Sequence, residues 1–241
     1  MNDIRAPIIV LGMHRSGTSL LTGCLEAAGL FLGTVNNAAP FNKHGNKEFG
    51  SIVELHDSIL ARHGFDWKTP PDTPLTWTAD EQRRMLDILD PYRALASPWG
   101  FKDPRVVWLI EGWLEIFPDA ALISVFRHPL LVVQSLAERT GELLVLREQG
   151  LHLWHVTNRR ILNLHRDGAF PVLHFADAEA LEARFFEPLS KFAKQQGLNG
   201  DPHGFFDKTL VNQTTPADEI PKHIQSLYDQ LILVCDTMAH M

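Results

Sequence analysis

Apolar positions follow two rhythms along this chain. Apolar runs at 7–11 and 120–126, the second interrupted only by Ser124, suit strands buried on both faces. Stretches at 20–28, 51–63, 104–117, 151–165, 177–195 and 221–234 repeat their apolar residues at helical spacing. In 51–63, Ile52, Leu55, Ile59 and Leu60 share one side. Thr78 stands where it would cap a helix from Ala79, with Glu81 and Gln82 in the first turn. Pro104 is placed to open the helix over 104–117. Residues 171–175 give a further strand, and a short one is expected near Phe101. The stretches 31–50, 64–78 and 197–215 read as irregular, and long loops in compact domains are often functional. Strands alternating with helices predict an α/β protein in three layers, a central parallel sheet flanked by helices. The 241 residues suit one domain, with helical and loop insertions over about 31–98 and a helical C-terminal part over about 177–241.

Composition narrows the function classes. A net charge of −7 argues against nucleic-acid binding by a basic face, although one cleft can still be basic. Two cysteines, Cys24 and Cys235, make no disulfide framework and fit a reducing compartment. The N-terminal apolar run is five residues long, too short for a signal peptide, and nothing approaches the roughly 18 apolar residues of a membrane span. A cytoplasmic protein is expected. Among the 12 histidines, His152 and His155 share a helical face, but no third ligand sits at metal-like spacing, so no metal is expected.

The most informative segment follows the first strand. Residues 12–19 read Gly-Met-His-Arg-Ser-Gly-Thr-Ser, between that strand and a helix. Strand, glycine-bounded loop and helix form the layout of a phosphate-binding loop, G-x-x-x-x-G-K-[ST]. Gly12, Gly17 and Ser19 fit, but Thr18 stands in place of the lysine and the cation is Arg15. Such a loop can hold an anion on backbone N–H groups and a helix N-terminus. The reading is therefore a P-loop-containing nucleotide-binding fold. Ligands of such sheets bind beyond the carboxyl ends of the strands, and there Arg15, Lys102 and Arg127 supply cations. Ser135, eight residues after Arg127 on the next helix, can converge with it on one phosphate. The 120–126 run ends in arginine, where a nucleoside triphosphatase has a metal-holding aspartate.

On these residues the chain resembles the sulfotransferases that use 3′-phosphoadenosine 5′-phosphosulfate (PAPS). His14 to Ser19 resembles their 5′-phosphosulfate loop, and Arg127 to Ser135 their 3′-phosphate motif. Lys102-Asp103-Pro104 is similar to the Lys-Asp-Pro of the tyrosylprotein branch, and Asn42 to Glu48 to an Asn-x-x-Gly-x-x-Glu segment of many bacterial members. The resemblance covers residues 7 to about 140; the glycine-rich C-terminal motif of the cytosolic small-molecule enzymes has no counterpart here, leaving the adenine contacts unassigned.

What the resemblance implies is metal-independent, in-line transfer of a sulfuryl group from PAPS to an acceptor hydroxyl, releasing 3′,5′-ADP (PAP). Arg15, Ser16, Gly17, Thr18 and Ser19 would hold the 5′ end of the donor, and Arg127 and Ser135 the 3′-phosphate. Arg15 and Lys102 would neutralise the leaving oxygen. Glu48 is the first candidate for the general base, with His44 and His56 as the others. Asp103 would orient Lys102 or cap the helix begun at Pro104. The acceptor, a carbohydrate, small molecule or peptide, stays open, as does a homodimer. Phe41, Phe65, Trp67, Trp77 and Trp99 can line an apolar acceptor cleft or fill the core. The other readings are a P-loop kinase or NTPase-like phosphotransferase and a catalytically silent PAP-binding protein.

Overall fold

A computed structural model describes residues 4–38, 45–140, 143–177, 179–207 and 218–239. His44 and Phe41 fall outside them. Strands β1 (Ile8–Leu11), β2 (Gly100–Lys102), β3 (Ala121–Phe126) and β4 (Val172–His174) form one parallel sheet in the order β2-β1-β3-β4. The register pairs Val10 with Lys102 and with Ile123, and Phe126 with His174. All four strands therefore end at one edge of the sheet, where the sequence places its cations.

Alternation along β1 shows why both faces are covered. Ile9 and Leu11 enter one apolar cluster with Trp99, Phe101 and Trp113. Ile8 and Val10 enter the other, with Leu21, Leu25 and Phe185. Helices α1 (Thr18–Ala27), α2 (Gly50–Arg62) and α3 (Ala79–Ile88) precede β2. Thr78 caps α3 in a reciprocal capping box with Glu81, as its sequence predicts.

The expected helix over 104–117 is divided. Pro104–Trp108 is a 3-10 turn, Leu109 leaves helical geometry, and α4 spans Ile110–Ile116. Residues 106–110 are all buried, so no polar face guides a regular helix, and β-branched Val106 and Val107 favour one weakly. After β3 come α5 (Pro129–Thr140) and α6 (Leu143–Gly168), the latter longer than the expected 151–165. Gly150, just before the expected start, lies inside α6 where a Cβ would stand 3.1 Å from Val133 of α5. The expected helix over 177–195 is also divided. A π-turn at Glu182–Phe186 precedes α7 (Glu187–Gln195). Pro188 has no N–H for the Arg184 carbonyl, which instead accepts from the Cys235 thiol of α8 (Lys222–Ala239) at 3.5 Å. No helix among the described residues is long and apolar enough to cross a membrane.

Candidate functional site

The loop between β1 and α1 is tightly determined. A Cβ on Gly12 would meet Thr18 Cγ2 at 2.6 Å and the Val125 carbonyl at 2.8 Å, so only glycine lets the loop turn there. Gly17, at φ 94°, is the N-cap of α1 and lies against the Phe175 ring. It brings no side chain to cap the helix, and the first turn holds no acid. The N–H groups at this end are thus left to meet an anion. Ser16 is fully buried and its hydroxyl makes no hydrogen bond. Thr18 is buried beside it.

Arg15 takes a left-handed backbone angle, φ 69°, uncommon for a residue with a side chain. This turn aims its guanidinium across the sheet edge, where Nε–H donates to Ser135 Oγ at 2.8 Å. Arg127 follows β3 on the same edge, 9% exposed, with its guanidinium 5.0 Å from the centre of the Phe175 ring. Burial, then the positive charge of Arg15, pull Arg127 down to about 10. Two guanidiniums that disfavour each other's charge, with a hydroxyl beside them, form a local cationic site in an acidic protein. The Trp154 indole N–H fixes the Arg127 carbonyl at 2.9 Å.

Behind this edge, His174 is buried, stacks on Phe126, and lies 3.1 Å from the Tyr228 hydroxyl of α8. Burial first, and then Arg184, push His174 down to about 3. His128 is lowered in the same way, by burial and by Arg127.

At the end of β2, Lys102 is 2% exposed and donates to Glu48 Oε1 at 2.6 Å. Burial lowers the lysine, while Glu48 and Asp103 act to restore its charge. Glu48 hangs on a loop fastened to α1. Lys47 Nζ meets Glu26 at 2.8 Å and Asn37 at 2.6 Å, and its backbone is left-handed, φ 55°. Ser19 Oγ–H donates to the Asn46 carbonyl at 3.1 Å, so its hydroxyl proton holds this loop and its backbone N–H is what faces the helix end.

The residues that follow Lys102 build a buried chain of alternating partners. Trp113 Nε1–H donates to His56 Nε2 at 2.9 Å, and His56 Nδ1 bonds Asp103 Oδ2 at 2.7 Å. Indole N–H can only donate, so His56 carries its proton on Nδ1 and has no lone pair left. His56 is wholly buried and is not placed to take a proton from an acceptor, which corrects its candidacy as a base. Asp103 also accepts from Arg105 Nη1 at 2.8 Å and from the Arg105 backbone N–H, the capping contact expected of it. Arg105 Nε reaches Asp57 at 2.6 Å. Burial alone would raise the Asp103 carboxyl; the hydrogen bond from His56, with the bonds and charge of Arg105, outweighs it and holds it well below the usual carboxylate range.

The sequence-predicted residues Arg15, Ser135 and Arg127 thus meet at one end of the edge, and Lys102 meets Glu48 at the other. Trp77 and Trp99 pack in the core, whereas Trp67 stands half-buried against His14, ring centres 4.7 Å apart. The His56–Asp103 link and the Lys47 clamp escape sequence reasoning. A histidine on the apolar stripe of α2 signals burial, but nothing in the sequence names a partner 47 positions away. Among the described residues no group of acids, histidines or cysteines could hold a metal ion.

Residues 7–181 match the model of a family described as "Sulfotransferase family". The structure is similar to the sulfotransferase domain of the olefin synthase of Synechococcus PCC 7002, with a TM-score of 0.58, 17% identity, and 96% of each chain covered. It is also similar to sulfotransferase STF9 of Mycobacterium avium, with a TM-score of 0.54, 16% identity, and coverage of 97% of this chain and 77% of that one. At such identities the likeness is one of fold. No match is found among curated proteins.

Proposed function

This chain belongs to the sulfotransferase family, and on that premise we propose that it moves a sulfuryl group from PAPS to an acceptor hydroxyl. The observation that carries the donor assignment is the meeting of Arg15, Arg127 and Ser135 beside the open N-terminus of α1. PAPS has two anionic ends, and the edge offers a cradle for each. Backbone N–H groups over 17–19, with the Thr18 hydroxyl and the unsatisfied Ser16 hydroxyl, take the 5′-phosphosulfate, while the Ser16 N–H donates to the Met13 carbonyl and holds the turn. Arg127 and Ser135 take the 3′-phosphate, whose charge would relieve the repulsion between the two arginines.

The reaction then needs three things. Charge building on the leaving 5′-phosphate oxygen is met by Arg15 and Lys102. The acceptor oxygen must lie in line with the sulfur–oxygen bond that breaks. Its proton must go to a base, and Glu48, already held at Lys102, takes it. The Lys102–Glu48 contact sets base and electrophilic cation side by side, so proton removal and leaving-group stabilisation occur within one geometry. The chemistry rests on the chain's own cations.

Thermal denaturation tests the reading, because a ligand of the native state raises its stability. PAP should raise the melting temperature in the presence of a chelator, and AMP should raise it far less. A large rise with ATP–Mg²⁺ and none with PAP would favour phosphoryl transfer instead. PAP binding without sulfation of any acceptor would favour a silent binding protein.

A further inference from the structure

His56 is not placed to take a proton from an acceptor, yet it is wholly buried and bonded at both ring nitrogens. Its contacts lie on the two neighbours of Lys102. Backbone at the end of β2 is extended and continues so through Asp103, φ −147° and ψ 123°. In such backbone alternate residues share a face, so Phe101 and Asp103 stand on one side and Lys102, between them, on the other. His56 meets both. Its ring centre is 6.1 Å from that of Phe101, and its Nδ1–H donates to Asp103 Oδ2 at 2.7 Å. The Trp77 and Trp113 rings enclose the imidazole nearly edge-on, with centres 6.1 and 5.9 Å away. We infer that His56 is a positioning residue, which holds the strand end from behind through Phe101 and Asp103 and so fixes where Lys102 carries its ammonium. The inference rests on the role proposed above for Lys102 at the leaving oxygen.

The strand end needs such a hold. β2 is three residues long, stands at the sheet edge and pairs with β1 alone. Lysine is flexible, so its tip is only as well placed as the backbone under it and the partner beyond it. Helix α2 supplies both constraints. Glu48, just ahead of α2, takes the ammonium, and His56, within α2, takes the carboxylate that follows. Trp113 of α4 fixes the far side of the imidazole. Stability alone does not call for this chain of polar groups, because apolar residues in place of buried ionic ones are often neutral or stabilising. A chain whose partners are all taken does set one geometry. It also serves the charge of Lys102. Burial works to strip its proton; Glu48 first and Asp103 after it oppose this, against Arg105. The hydrogen bond from His56 helps to keep Asp103 ionised for that purpose.

The test reads Lys102 in the protein alone. With carbon-13 lysine, its ε-carbon resonance is the one lost in Lys102→Arg. His56→Phe keeps a ring and loses both bonds; Asp103→Asn keeps the shape and loses the charge. We expect each to lower the order of the Lys102 ε-methylene in carbon-13 relaxation and to move its titration to lower pH, since each weakens a negative partner of a buried cation. His56→Gln, whose amide can donate to Asp103 and accept from Trp113, should bring both readings back toward wild type. The release of PAP from PAPS, with water taking the sulfuryl group as sulfate, should slow at least about tenfold in His56→Phe and Asp103→Asn, while calorimetric PAP affinity stays within about twofold. A purely structural role would lower the urea midpoint and leave the order and titration of Lys102 unmoved. That result in both variants would overturn the inference, as would a fall in PAP affinity equal to the fall in rate. Should His56→Phe not fold, Asp103→Asn and His56→Gln decide by the same readings. Failure of PAP to stabilise the wild-type protein would overturn the donor reading, whereas the order and titration of Lys102 would still decide the role of His56.

Discussion

The two ends of the sheet edge handle charge in opposite ways. After β1 and β3, Arg15 and Arg127 sit close enough for one to lower the charge preference of the other. After β2 the signs alternate without a break, Lys102 to Glu48 and Asp103 to Arg105 to Asp57. In the first, like charges oppose each other, with Glu138 acting in part to restore Arg127, and an arriving anion improves the arrangement further. In the second, every charge already has an opposite partner in place. A cluster of like charges thus marks where a ligand belongs, while a buried network of unlike charges marks where the protein holds its own shape.

The sharpest break of this comparison is at Asp103. Asp103→Ala should strip the partners from His56 and Arg105 and cost roughly 3–5 kcal/mol, the usual penalty for opening a buried charge pair. The midpoint of urea unfolding measures it, and an unchanged midpoint would show that the network contributes no rigidity. Next in size are Glu48→Gln and Lys102→Ala. Each should lower turnover by at least about 100-fold while PAP still binds, since each is proposed to act at the reacting atoms. Loss of PAP binding in either variant would move that residue from the chemistry to the donor site.

Arg127→Ala should weaken PAP by about ten- to a hundredfold, the worth of one charge-assisted contact, while barely changing the weak binding of AMP. Ser135→Ala should act in the same direction and less. Calorimetric titration with both nucleotides decides it, and an equal loss for PAP and AMP would assign Arg127 to the fold or to the 5′ end.

The smallest effect is acid sensitivity behind the arginine end. His174 titrates near 3 in the folded protein against about 6.5 when unfolded. As pH falls the unfolded chain takes up this proton first, so stability is full above about 6.5 and declines toward 3. Asp103 declines in the same sense, but only below its unfolded value of about 3.9. Between pH 7 and 5 the loss therefore reports the histidines whose protonation the fold opposes, His174 before half-buried His128 and His155. His174→Gln should shrink the change in urea midpoint over that interval; an undiminished change would place the sensitivity elsewhere, with His128 the next to replace.

The arginine end was legible in sequence because it is local. Glycine spacing, one cation in the loop, and an Arg/Ser pair eight residues apart each lie within a single strand–helix unit. The parallel sheet was legible for the same reason, through apolar runs alternating with helical stretches. The β2 end was half legible: Lys102 and Glu48 each stand out, but their contact joins positions 54 apart. The course of 104–117 was misread because hydrophobicity on every side carries no period, and the full length of α6 because a glycine chosen for close packing mimics one chosen for a turn.

Helix α1 carries more than the anion cradle at its tip. Ser19 and Glu26, two turns apart on its surface, grip the segment that bears Glu48. The proposed proton acceptor is thereby hung from the same rod whose tip is the proposed seat of the donor's phosphosulfate. Thermal wandering of that rod displaces both together and leaves the gap between them constant. The helix serves as a gauge block, and cutting the Lys47–Glu26 tie would loosen the spacing of the reaction without touching any atom that reacts.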